Sequence, residues 1–109
     1  MENSASVVEV TGELDLSTVA RWEKNVETAG RDADIVVLDL SEVGFVDSAG
    51  VRTLFRLVRD TASHGTRLLI VAPRGGAVRR LLDILAIRSL TPVCESRAEA
   101  LHFPYRLSA

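Results

Sequence analysis

The segment Phe45-Val46-Asp47-Ser48-Ala49-Gly50 carries the strongest chemical signal in the chain. Two apolar residues of strand character run straight into Asp-Ser, and from there into a helical pattern. Asp47 or Ser48 can accept a hydrogen bond from a free N–H of the helix's first turn, worth about 0.5–2 kcal/mol. Such a cap leaves Gly50 unexplained. Glycine inside a helix costs about 1 kcal/mol relative to alanine. Its place here marks a spot where a sheet, a loop or a partner approaches the backbone closely.

Other chemistries fit less well. A serine nucleophile elbow needs glycine two residues before the serine, and that position is Val46. His64 and His102 are the only imidazoles, and neither sits in a recognisable partner motif. Pro73-Arg74-Gly75-Gly76 precedes a helix, so its amides can face an anion. No Gly-Lys-Ser/Thr follows, so it is not a P-loop, and a strand-to-helix turn accounts for it. Arg79 and Arg80 are then expected on the solvated face of the helix they begin. Glu13, Asp15, Asp39 and Asp47 fall at strand ends or in adjacent loops, where capping is their simplest role. In a parallel sheet such loops gather at one edge, which would bring Asp15 near Asp47. Without His or Cys beside them they do not spell a metal site. Trp22 belongs to an apolar stripe, and Cys94 follows Val93 in a short strand, so both are expected in the core.

The elements that position these residues alternate between strand and helix. Val7 to Val10 is a β-branched run ending at a Thr11-Gly12 turn. A cap at Asp15 or Ser17 opens a helix with Val19, Trp22, Val26 and Ala29 on one face, and Gly30 stops it. Ile35 to Leu40 is the clearest strand. Its first four residues are continuously apolar, as in a strand covered on both faces. A turn over Ser41 to Gly44 leads to Phe45-Val46. The next helix buries Val51, Leu54, Phe55 and Val58, turns Arg52, Arg56 and Arg59 to solvent, and ends near Ser63-His64-Gly65. Arg67 to Ala72 is a third strand, and Ala77 to Leu85 a helix with Val78, Leu81, Leu82 and Leu85 inward. Pro92 to Cys94 is a short strand, Arg97 to Leu101 a last helical turn or two, and the tail from Phe103-Pro104-Tyr105 is expected to fray. This alternation predicts one α/β domain containing parallel pairs.

Composition narrows the function classes. The chain has 109 residues, 47% of them hydrophobic and 26% charged, enough for one core and little more. A net charge of −2 gives no electrostatic reason for binding nucleic acid or inserting at an anionic membrane. Lys24 is the only lysine and Cys94 the only cysteine, so an internal disulfide framework is excluded and a reducing cytoplasm expected. The longest aliphatic stretch, Leu68 to Ala72, is far short of a membrane span, and Met1-Glu2-Asn3-Ser4 is unlike a secretory signal.

Gly12-Glu13-Leu14-Asp15, the strand Ile35 to Leu40, Phe45 to Gly50 and Val78-Arg79-Arg80-Leu81-Leu82-Asp83 follow one another in the order and spacing of a STAS domain. The chain resembles, more narrowly, the bacterial anti-sigma factor antagonists (anti-anti-sigma factors). The likeness runs from about Val7 to Leu101, the core of a single domain over 1–109. It implies an α/β fold with a mixed β-sheet and helices packed on one side. It implies no catalysis and no cofactor. The serine at the start of the helix, here Ser48, is the family's phosphorylation site. A serine kinase that is itself the anti-sigma factor modifies it, and a PP2C-type phosphatase resets it. The unphosphorylated antagonist binds the anti-sigma factor and frees the sigma factor. Glu13, Asp15, Asp47, Ser48, Gly50 and Arg52 are the expected partner-binding residues, on a monomer or weak dimer. STAS domains also serve as accessory subunits of transporters, lipid transporters included. A ligand-sensing domain built on the Gly75-Gly76 turn is a third possibility. Two residues depart from the family pattern. Ala49 stands where Ser or Thr is usual, leaving one hydroxyl. Arg52 ends Gly50-Val51-Arg52 where Gly-Leu-Gly is common, one helical turn from Ser48 and within reach of a phosphate on it.

Overall fold

A computed structural model describes residues 4–103; residues 1–3 and the tail beyond Phe103 lie outside them, while Phe103, where fraying was expected to begin, packs half-buried against the core. The chain alternates β1 (Ala5–Leu14), α1 (Val19–Asp32), β2 (Ile35–Val46), α2 (Ser48–Ser63), β3 (Arg67–Val71), α3 (Ala77–Ile84), a 3-10 turn at Ile87–Ser89, β4 (Val93–Cys94) and α4 (Arg97–Leu101). The four strands form one sheet in the order β1-β2-β3-β4. Every pairing among the described residues is parallel, so the mixed sheet that the resemblance implied is corrected to a parallel one. Each strand reaches the next through a helix, and a crossover returns the chain in its original direction.

The one-way strand order also fixes where the helices lie. Crossovers of a single hand that all step the same way deliver their helices to one face. That face carries Val8 and Val10 of β1, Val36, Leu38 and Leu40 of β2, and Leu68 and Ile70 of β3. They pack against Trp22 and Val26 of α1, Leu54, Leu57 and Val58 of α2, and Val78 and Leu82 of α3. Alternate residues point the other way, as the period of a strand demands. Val37, Leu69, Val71 and Cys94 form a second cluster with Ala100 of α4, flanked by Phe103. Helices on one side only is therefore a second correction, because α4 follows the last strand and covers the opposite face.

Some boundaries differ from the sequence expectation for identifiable reasons. Thr11-Gly12 does not end β1, and Ser41 to Gly44 does not interrupt β2; the two segments pair with each other through two bulges. At the first bulge the carboxylate of Asp39 accepts from the Ser41 N–H at 2.9 Å and from the Ser41 hydroxyl at 2.6 Å, satisfying a group that the ladder leaves over. Near the second, Gly12 adopts φ +86°, open to glycine and strained for other residues. α1 runs through Gly30 to Asp32. On α2 the buried stripe is Ala49, Gly50, Thr53, Leu54, Leu57 and Val58, with Val51 and Phe55 only half-buried, while Arg52, Arg56 and Arg59 are exposed as expected.

Arg79 is the clearest departure. It is 4% exposed rather than solvated. Its Nη1 donates to the Ala72 carbonyl at 2.8 Å, just past the end of β3, and its Nε lies 3.4 Å from Asp83. A long aliphatic stem lets arginine cover apolar surface while its head reaches a carbonyl. Arg79→Ala is expected to lower stability by about 2 kcal/mol. Arg80→Ala, at an exposed position, should stay within about 0.5 kcal/mol. Urea unfolding followed by the emission of the single, buried Trp22 checks both.

Candidate functional site

Parallel strands bring the β1–α1 and β2–α2 loops to the same sheet edge, and Asp47 ties them together. Its Oδ1 accepts from the Gly50 N–H at 3.0 Å, capping α2. Its Oδ2 accepts from the Leu16 N–H at 3.3 Å, in the turn after β1. Its own N–H donates to the Leu14 carbonyl at 3.1 Å. The expected proximity of the Asp15 loop to Asp47 is therefore present, and one carboxylate sets the position of both loops.

The β1–α1 turn is fastened from within. The Thr18 hydroxyl accepts from the Asp15 N–H at 3.0 Å and donates to the Glu13 carbonyl at 2.8 Å. The Asp15 carboxylate accepts from the Ser17 hydroxyl at 2.6 Å and the Ser17 N–H at 2.9 Å. The Ser17 hydroxyl bond holds the Asp15 carboxyl below its usual range, so it is ionised at neutral pH. Thr18, rather than Asp15 or Ser17, is the residue preceding α1.

The six partner-binding candidates separate by exposure. Ser48 is exposed at the first position of α2, and Glu13 and Arg52 are exposed beside it in the two elements. Asp15 is half-buried. Asp47 is half-buried with both carboxylate oxygens engaged inside the chain. Gly50 is buried, and a Cβ built on it would lie 2.3 Å from the Leu14 carbonyl oxygen. What approaches Gly50 is thus the end of β1.

Two apolar residues that sequence reasoning missed stand at the same edge. Leu16 is 75% exposed and Phe45 54% exposed. Phe45 pairs in register with Glu13, and Leu16 hangs from Asp47. The available signal was an aliphatic residue inside the polar turn Asp15-Leu16-Ser17, where no core position requires one. Ser48 thus sits in a surface of mixed character, with exposed apolar side chains beside carboxylates.

The strand order never reverses among the described strands, so the sheet lacks the switch-point crevice at which doubly wound folds bind nucleotides. A four-stranded parallel sheet with a capped, exposed serine at the start of its second helix makes this a small α/β domain. The comparisons give it its family: residues 2–100 match the STAS domain, and the chain belongs to that family. It is 30% identical over 105 residues to Osmosensory protein A of Mycobacterium tuberculosis, covering 94% of this chain and 66% of that protein's length. The structure of an anti-sigma factor antagonist from Mycobacterium paratuberculosis superposes with a TM-score of 0.79 at 27% identity, over 93% of this chain and 86% of that one. A sulfate transporter family protein from Wolinella succinogenes superposes with a TM-score of 0.76 at 18% identity, over 91% of this chain and 83% of that one.

Proposed function

We propose that this chain is an anti-sigma factor antagonist whose binding surface is switched by phosphorylation of Ser48. The observation that carries this reading is the exposed Ser48 at the first position of α2, held in a surface that Asp47 fixes from both sides. The likeness to the mycobacterial antagonist supports it. Unphosphorylated, the edge formed by Glu13, Asp15, Leu16, Phe45 and Ser48 binds an anti-sigma factor that is also a serine kinase, and a sigma factor is released. The kinase supplies ATP and Mg²⁺. The γ-phosphoryl group passes to the Ser48 oxygen, ADP leaves, and the serine proton goes to a base on the kinase. A PP2C-type phosphatase returns the group to water as inorganic phosphate. The domain performs no catalysis itself and works in the cytoplasm, where ATP is available.

The switch follows from local charge. A phosphate adds about −1.5 to −2 charges at neutral pH, which a helix N-terminus tolerates. The fold therefore persists, while like charge accumulates beside Asp47 and Asp15 in the middle of the contact surface. Each 1.4 kcal/mol of lost complementarity weakens binding about tenfold.

The superposition on a sulfate transporter family protein favours one second reading, that of an accessory domain in which Ser48 stays unmodified. Intact-mass measurement of the protein and of Ser48→Ala, both isolated from native cells with phosphate preserved, separates the two. A species heavier by about 80 Da in the wild type and missing from the variant is expected. Its absence in all growth conditions would reject the switch and leave the accessory role.

A further inference from the structure

We propose that Arg52 is the side chain that receives and holds a phosphate carried by Ser48. This rests on the phosphorylation reading above and names the residue that makes the modified state distinct in this chain.

Residues four apart on a helix are neighbours on its surface, and Ser48 and Arg52 are both exposed on α2. The contrast with Arg56, one turn further along, shows what Arg52 lacks. The Arg56 guanidinium is tied to Glu23 of α1, its Nε 3.0 Å from the carboxylate. One turn back along α1 from Glu23 are Val19 and Ala20, which carry no charge. Among the described residues Arg52 makes no ion pair or side-chain hydrogen bond, so its fork is uncommitted. Of the three carboxylates at this edge, Asp47 is engaged by the Gly50 and Leu16 amides and Asp15 by Ser17, while Glu13 is exposed on β1. All three repel an added dianion, which leaves Arg52 as the cation one turn away to meet it. A guanidinium matches phosphate with two parallel donors, a geometry that lysine lacks.

The consequence is a phosphate kept doubly ionised. The second ionisation of phosphoserine falls near pH 6, close enough to neutrality for its neighbours to decide how much charge the switch carries. Asp47, Asp15 and Glu13 favour the monoanion, and Arg52 favours the dianion.

The test uses the full chain with phosphoserine installed at position 48 by genetic encoding, so it needs neither the kinase nor the partner. Titration followed by phosphorus NMR reads the second ionisation directly. Arg52→Ala is expected to raise it by about 0.2–0.4 pH unit, the shift produced by an exposed pair one turn apart. Arg52→Lys should restore part of that shift, and Arg56→Ala should move it by less than about 0.1 unit. Trp22 emission confirms that each variant is folded. An Arg52→Ala value within about 0.1 unit of wild type overturns the proposal, as does an equal shift in Arg56→Ala. If cells never phosphorylate Ser48, the parent reading fails on the mass measurement, whereas this result stands or falls separately.

Discussion

Gly50→Ala is expected to destabilise the domain by about 2–4 kcal/mol, although alanine is the better helix former by about 1 kcal/mol. The added Cβ would lie 2.3 Å from the Leu14 carbonyl oxygen and 3.0 Å from the Leu14 carbonyl carbon and Cβ. Most of what it meets is backbone, which cannot rotate aside. The Leu14 carbonyl also accepts the Asp47 N–H, so moving β1 away disturbs the residue that caps α2. Gly30→Ala is the control. Its Cβ would meet the Thr66 side chain at 3.7 Å, an ordinary contact, and a gain of about 0.4–1 kcal/mol is expected. Urea midpoints read by Trp22 emission compare the two. Equal stability of Gly50→Ala and wild type would mean that the end of β1 yields freely and does not fix the start of α2.

The second large effect is expected on the opposite face, where Arg97 of α4 clasps the first two strands. Its Nε donates to the buried Asp39 carboxylate at 2.5 Å, and its Nη2 pairs with Glu9. Arg97→Ala should cost about 1–3 kcal/mol at neutral pH, because it leaves a carboxylate that is 4% exposed with Ser41 as its remaining partner. Burial pushes the Asp39 carboxyl up. The Ser41 hydroxyl and the Arg97 guanidinium outweigh burial and hold it below its usual value. An acid with a lowered folded value contributes its full stability above the unfolded value, near pH 3.9, and loses it as pH falls through the folded one. The deficit of Arg97→Ala should therefore be complete above about pH 5 and shrink at lower pH. A deficit that stays constant between neutral and strongly acidic pH would show that Arg97 acts by packing alone.

These two positions mark what the sequence discloses and what it conceals. Gly50 was legible as a place where something comes close, since no helix gains from glycine there, but its neighbour Leu14 is known only from the fold. Asp47 was legible as a cap; its second bond, to Leu16 across 31 residues, was not. The Arg97 clasp spans 58 and 88 residues to its carboxylates and leaves no trace in local periodicity. Ser41 to Gly44 has the composition of a turn, yet pairing with β1 through a bulge overrides that preference. Arg79 was misplaced because helical phase places a residue on a face without saying whether its head group finds a carbonyl. The strands themselves were clear where aliphatic residues run unbroken, as in Val36 to Leu38 and Leu68 to Val71.

The one-way strand order also bears on how the chain acquires its structure. Each strand pairs with the strand before it in sequence, so every pairing closes a loop no longer than one helix and its connections. β2 pairs with β1, β3 with β2, and β4 with β3, so none of these strands has to insert between two that are already paired. α4 follows β4 and covers the face that the crossover helices leave bare, where Arg97 reaches back to Glu9 and Asp39. Neighbour-to-neighbour pairing thus builds the sheet, and the Arg97 latch, 58 and 88 residues from its carboxylates, is a tie of much longer reach laid across it.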